Sequence, residues 1–123
     1  MKKITAFLLF ACIVSQAYAW KPQFAGHRGS YRGVENTEEA FMNGINHYGY
    51  TGLEIDVKTT SDGEYVCWHD DDLGRVGHDV TIPYTKFADL KDLILTQTRG
   101  GVTYTAKLLT VDRYLEICKE NNV

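Results

Sequence analysis

One unbroken apolar run and two alternating periodicities organise the chain. Residues 4–14 are apolar apart from Thr5, follow Lys2-Lys3, and lead through Ser15-Gln16 into Ala17-Tyr18-Ala19. The run falls short of the ~20 residues that a membrane-crossing helix needs. Small residues at Ala17 and Ala19 suit a signal peptidase, so residues 1–19 read as an export signal cleaved after Ala19, which sends the rest to the periplasm or outside the cell with no spanning segment. A lipoprotein reading ranks second, because Cys12 follows Leu9-Phe10-Ala11 and Phe10 is bulky for that motif.

From residue 20 onward the pattern alternates between strand and helix. Residues 23–26 form a short strand that enters His27-Arg28-Gly29 and then a loop over 30–35. Asn36 is placed to cap a helix, with Glu39 three residues on as in a capping box. Phe41, Ile45 and Tyr48 recur at helical spacing, and Gly49 suits the C-terminal turn. Residues 53–60 alternate without a break, so Leu53, Ile55 and Val57 share one face while Glu54, Asp56 and Lys58 share the other. Asp62-Gly63 reads as a two-residue hairpin turn, with residues 65–69 as the returning strand. A further helix is expected over residues 111–120.

The hairpin carries a geometric consequence. With Asp62 and Gly63 as the loop, Ser61 faces Glu64 and the count along both strands sets Asp56 opposite His69, with Cβ atoms ~5 Å apart. Glu54 lies two residues along the same face, ~7 Å away. Two carboxylates turned inward at that spacing repel one another and lose hydration, which a divalent cation offsets far better than Lys58 alone. A polar edge hairpin facing solvent is the equal alternative from periodicity.

Composition narrows the function classes. The 123 residues hold 13 Lys and Arg against 16 Asp and Glu, a net charge of −3, so at most one ordinary domain fits and no basic stripe suits nucleic acid. Cys67 sits in a strand pattern and Cys118 in a helix pattern, so both are expected as single thiols, with a disulfide as the lesser alternative. No Gly-x-Gly-x-x-Gly or Walker sequence calls for a nucleotide cofactor. His47 and His78 are expected in solvent. Glu35 is read as orienting its loop or a histidine, and Asp70 as the best supporting residue of the run Asp70-Asp71-Asp72.

Taken in order, Ala25-Gly26-His27-Arg28-Gly29, Glu35-Asn36-Thr37 with Ala40-Phe41, Leu53-Glu54-Ile55-Asp56-Val57 with Thr60, Asp62-Gly63, and His69-Asp70 with Leu73 and Arg75 resemble the glycerophosphodiester phosphodiesterase family. Weaker matches follow. Residues 84–93 look like its Thr-x-x-Glu-Leu segment, and 109–116 look like its Pro-Thr-Leu-x-Glu helix opening with Leu109 in place of proline.

The resemblance implies an α/β fold, the N-terminal part of a (β/α)8 barrel with its chemistry at the C-terminal ends of the strands. It implies His27 and His69 as general acid and base, Arg28 on the substrate phosphate, and Glu54 and Asp56 as ligands of one divalent cation. Hard carboxylate oxygens favour Ca²⁺ or Mg²⁺. Two imidazoles with ordinary values near 6.5 can divide the proton work of breaking a phosphodiester at neutral pH. A barrel of this kind takes ~250 residues, so residues 20–123 are expected to be its opening portion, ending near the second or third βα unit. The family's third metal carboxylate, in a Glu-x-Lys motif, is expected beyond Val123. The substrate implied is a small glycerophosphodiester. A phospholipase acting on intact lipid and a silent secreted binding module are the alternatives.

Overall fold

The computed structural model describes residues 23–123. The expected export signal over residues 1–19 lies outside the described residues. β1 (Ala25–His27) and β2 (Gly52–Glu54) pair in parallel, with Gly26 beside Leu53 and His27 beside Glu54, and α1 (Glu38–Tyr48) connects them as the crossover of a βαβ unit. β3 (Val57–Thr59) and β4 (Tyr65–Cys67) form an antiparallel hairpin. Two 3₁₀ turns, Gly74–Val76 and Ile82–Tyr84, and the single-turn α2 (Phe87–Leu90) lead to a second hairpin of β5 (Leu95–Arg99) and β6 (Val102–Ala106). α3 (Val111–Asn121) closes the described chain. No helix among the described residues is long and apolar enough to cross a membrane.

Apolar burial forms two clusters. Trp68, Leu73, Val76, Ile82, Leu90 and Leu95 fill the space between the two hairpins, and the Trp68 indole N–H donates to the Asp72 carbonyl at 2.9 Å. Phe41, Cys67, Leu109 and Ile117 pack the helices onto the strands, where the Phe41 and Tyr114 rings meet edge to face at 5.4 Å. The Tyr114 hydroxyl donates to the Leu53 carbonyl at 2.8 Å, which ties α3 to β2. Cys67 and Cys118 are both free thiols, and burial pushes the Cys67 thiol up to about 12.

Several local expectations change. The alternating run 53–60 is two strands, because β2 joins the parallel pair and β3 joins the hairpin. The chain turns between them at Ile55-Asp56. The face alternation is lost there: Leu53 and Ile55 pack on the second cluster, whereas Val57 is exposed and Lys58 is half-buried with its ammonium 2.7 Å from Asp71 Oδ1.

The first hairpin also has a longer loop. The Thr60 N–H donates to Glu64 O and the Gly63 N–H to Thr60 O, so Ser61, Asp62 and Gly63 all lie in the loop, with Gly63 left-handed at φ 88°. That third residue shifts the register by one. Val57 pairs with Cys67, and the residue opposite Asp56 is Trp68, whose N–H donates to Asp56 O at 3.0 Å, not His69. A slip of one turns every side chain to the other face.

Asn36 does not cap α1. It takes a left-handed backbone at φ 57° and stands one residue too early, leaving Thr37 at the cap position with no side-chain cap bond. The Thr37 hydroxyl donates to Val34 O at 2.6 Å, and no capping box forms. Gly49 ends the helix left-handed at φ 65°, as expected, and Thr110 caps α3 by accepting from the Arg113 N–H at 3.2 Å. His47 is exposed, but His78 is half-buried, with Nε2 2.8 Å from the Ile94 carbonyl.

Candidate active site

The turn after β1 builds the site. His27 is the last residue of β1, and Arg28 and Gly29 follow it in consecutive left-handed conformations at φ 57° and 85°. Only the second needs glycine for space as well as angle, since a Cβ there would sit 2.8 Å from the Ala40 methyl. The reversal sends Arg28 back toward the body of the protein. Its N–H donates to both the carbonyl and Oε2 of Glu54 at 3.1 Å. His27 Nε2 stands 3.9 Å from the same Oε2, and both side chains are open to solvent. Register therefore brings His27 and Glu54 together at the C-terminal ends of a parallel pair.

Asp56 joins them through Arg28. The Arg28 Nε is 2.8 Å from Asp56 Oδ2, but its hydrogen does not point at that oxygen, which leaves a buried donor unsatisfied. Asn36 braces Asp56 from the other side, donating from Nδ2 to Oδ2 at 3.1 Å and accepting the Asp56 N–H at 3.3 Å. The left-handed Asn36 thus serves the site rather than the helix.

His69 reaches the group by a longer route. Its Nδ1 is 2.6 Å from Asp70 Oδ1, and Asp70 Oδ2 accepts from Arg75 Nε at 2.5 Å. These two bonds, to His69 first and then to Arg75, hold the Asp70 carboxyl below its ordinary range. An ionised carboxylate only accepts, so the proton on a neutral His69 ring belongs to Nδ1, and Nε2 keeps its lone pair. The Arg75 guanidinium lies over the Trp68 ring at 4.7 Å and donates from Nη2 to Glu35 Oε1.

Glu35 is the buried centre of the arrangement, with its side chain 8% exposed. Beyond Arg75 it accepts from Arg28 Nη1 at 3.1 Å and from Arg99 Nη2 at 3.0 Å. Its N–H donates to Gln97 Oε1 at 3.2 Å, so the second hairpin is bound in at two points. A cavity of about 350 Å³ opens beside this cluster, lined by His27, Arg28, Gly29, Tyr31, Tyr50 and Arg99, with the Arg99 guanidinium 5.4 Å above the Tyr31 ring.

The structure thus brings His27, Arg28, Glu54 and Asp56 into direct contact and links His69 through Asp70, Arg75 and Glu35. Glu35 and Asn36 exceed the roles read for them in sequence, Arg75 enters there only as part of a motif, and Arg99 is given no role. A signal for the second hairpin was present in Gly100-Gly101, whose φ values of 57° and 79° make the two-residue turn. For a hard cation, Glu54 and Asp56 supply oxygen donors of the right kind, and no group of three or more His, Cys, Asp or Glu suited to a metal occurs among the described residues. Two carboxylates fit such an ion while supplying only part of its six to eight ligands.

Comparison with known proteins decides the lineage. The model of the glycerophosphoryl diester phosphodiesterase family matches residues 26–123. The chain belongs to this family. Solved family structures superpose on it. The glycerophosphodiester phosphodiesterase of Agrobacterium tumefaciens is 24% identical with a TM-score of 0.70, over 82% of this chain and 44% of that one. That of Thermotoga maritima is 32% identical with a TM-score of 0.57, over 83% and 52%. A phosphodiesterase of Oleispira antarctica, solved with the product sn-glycerol-3-phosphate, is 28% identical with a TM-score of 0.64, over 85% and 43%. No curated protein gives a significant match. The chain spans about half or less of the length of these three structures. The phosphodiesterase-type α/β fold expected from the resemblance, the N-terminal part of a (β/α)8 barrel, stands.

Within this family member, the buried network makes an acid-sensitive joint. Hydrogen bonding from Arg75 outweighs burial and, with the charges of Arg75 and Arg28, lowers Glu35 from 4.5 to about 2. The depressed value means that the stabilisation is full above about pH 4.5 and is lost as pH falls toward 2. It is worth on the order of 3 kcal/mol. Melting temperature should fall across that window, and Glu35→Gln should flatten this part of the profile. An identical acid slope in both proteins would contradict it.

Proposed function

We propose that the full-length protein is an exported, metal-dependent phosphodiesterase that hydrolyses glycerophosphodiesters to glycerol phosphate and an alcohol. His27 and His69 transfer the protons, Arg28 holds the phosphate, and Glu54 and Asp56 are ligands of one Ca²⁺ or Mg²⁺ ion. The observation that carries the reading is the register of β1 and β2 in a chain of this family. It sets His27 and Glu54 side by side, with Arg28 and Asp56 against them. The product complex of the Oleispira antarctica phosphodiesterase supports a small glycerol-phosphate ligand for this one.

Chemically, each group has a distinct task. Arg28 is anchored by Asp56 and Glu35 and lines the cavity, so its guanidinium charge is held in place for a phosphate oxygen entering there. His69, its Nδ1 proton anchored on Asp70, presents Nε2 to accept or return a proton. His27 is largely exposed at the strand end, where it is free to carry the other proton transfer. A bound divalent cation would neutralise charge on the non-bridging oxygens. One imidazole removes the proton of the nucleophile while the other protonates the departing alkoxide.

Incubating exported fractions of cells with glycerophosphocholine, glycerophosphoethanolamine and intact phosphatidylcholine tests the proposal. Glycerol phosphate should appear from the first two, the intact lipid should remain, and the purified protein should begin at Trp20. No release with any added divalent cation would refute the activity, and activity confined to the cytoplasm would refute export.

A further inference from the structure

We propose that Glu35 is a positioning residue: one buried carboxylate that holds Arg28 on one side and, through Arg75 and Asp70, fixes the orientation of His69 on the other. The proposal rests on the reading above, in which Arg28 holds the phosphate and His69 transfers a proton.

Glu35 accepts from three guanidiniums that come from separate segments: the turn after β1, the 3₁₀ turn Gly74–Val76 and β5. Neutralising one buried carboxylate needs a single cation, so an ion pair made only for stability would not need three. The arrangement also has a direction. The Arg75 fork is held from both ends, Nη2 on Glu35 Oε1 and Nε on Asp70 Oδ2, while the ring below fixes its plane against Trp68. Held in this way, Arg75 engages only one Asp70 oxygen and leaves Oδ1 for the His69 Nδ1 proton.

Without Glu35, the guanidinium is free to turn and take both Asp70 oxygens in the stronger bidentate geometry. That geometry puts a second donor on Oδ1 and weakens the Nδ1–H bond. The neutral His69 ring then shifts its proton toward Nε2 and loses the Nε2 lone pair that the proposed proton transfer requires. Arg28, released on its Nη1 side, keeps Asp56 as its one remaining carboxylate anchor.

The test uses the full-length protein with Glu35→Gln, which keeps the side-chain shape and removes the charge. Turnover of glycerophosphocholine should drop about 100-fold, mainly in kcat, as expected when reacting groups are misplaced by a fraction of their reach. Glu35→Asp should restore part of it. Adding Asp70→Asn to Glu35→Gln should leave activity within about threefold of the worse single variant, because both break one link. Nitrogen-15 NMR of the histidines, with the rings neutral, should show the His69 proton on Nδ1 in the wild type and shared with Nε2 in Glu35→Gln.

A carboxylate with only a structural role gives multiplied losses in the double variant and an unchanged His69 tautomer, and either result overturns the proposal. If Glu35→Gln does not fold, Arg75→Gln cuts the same link while leaving Glu35 on Arg28 and Arg99, and the same readouts decide. A wild-type protein that releases no glycerol phosphate would defeat the functional reading instead, and the tautomer measurement would still decide the role of Glu35.

Discussion

Glu54→Ala and Asp56→Ala should each lower metal-dependent turnover by about a thousandfold, the several kcal/mol expected when a catalytic cation is lost. The two variants should differ in stability. Glu54 is nearly half exposed, and its loss removes contacts to the Arg28 N–H and to His27 only. Asp56 is three-quarters buried between Arg28 and Asn36, so its removal takes away the carboxylate paired with Arg28 and leaves the Asn36 amide without its acceptor. Each unsatisfied buried group costs about 1–3 kcal/mol, and Asp56→Ala should melt several degrees lower while Glu54→Ala melts with the wild type. Calorimetric titration with Ca²⁺ and Mg²⁺ should show binding by the wild type and its loss in both variants. Full activity of both variants in excess chelator would reject the cation's role.

The second large effect belongs to the histidines. Replacing His27 or His69 with Ala should lower kcat/KM by about 10²–10⁴-fold for glycerophosphocholine. An activated aryl phosphodiester separates the roles, because phenolate departs without a proton. The variant lacking the acid recovers most of its rate on that substrate, and the variant lacking the base does not. In the wild type, kcat/KM should be bell-shaped against pH, its limbs reporting the pair. Equal losses on both substrates for both variants would reject a division of labour.

How far the site could be read in advance depended on which residues were local. His27, Arg28 and Glu54 meet through a parallel pairing whose short strands end at those residues, so motif and register agree. His69 stands one position away from the one its pattern predicts, because a third loop residue, Ser61, joins Asp62 and Gly63. One residue of register is invisible to a pattern of period two when Thr60 and Ser61 are both polar. Asn36 looked like a cap because Asn favours caps, yet its left-handed backbone and its two bonds to Asp56 serve a contact twenty residues away. Glu35 was the hardest to read. Its partners Arg75 and Arg99 lie forty and sixty-four residues on, and charge burial has no sequence periodicity. The second hairpin goes unread although Gly100-Gly101 and its Thr-rich flanks signal it, and its contribution of Gln97 and Arg99 to the site depends on tertiary packing.

Phosphorus-31 NMR of glycerophosphocholine incubated with the full-length protein tests the central claim most directly. With Mg²⁺ or Ca²⁺ present, the phosphodiester resonance should be replaced by that of a phosphomonoester, and His27→Ala should leave the diester nearly intact. A diester signal that persists with the wild-type protein, or conversion at the same rate by His27→Ala, would contradict the account.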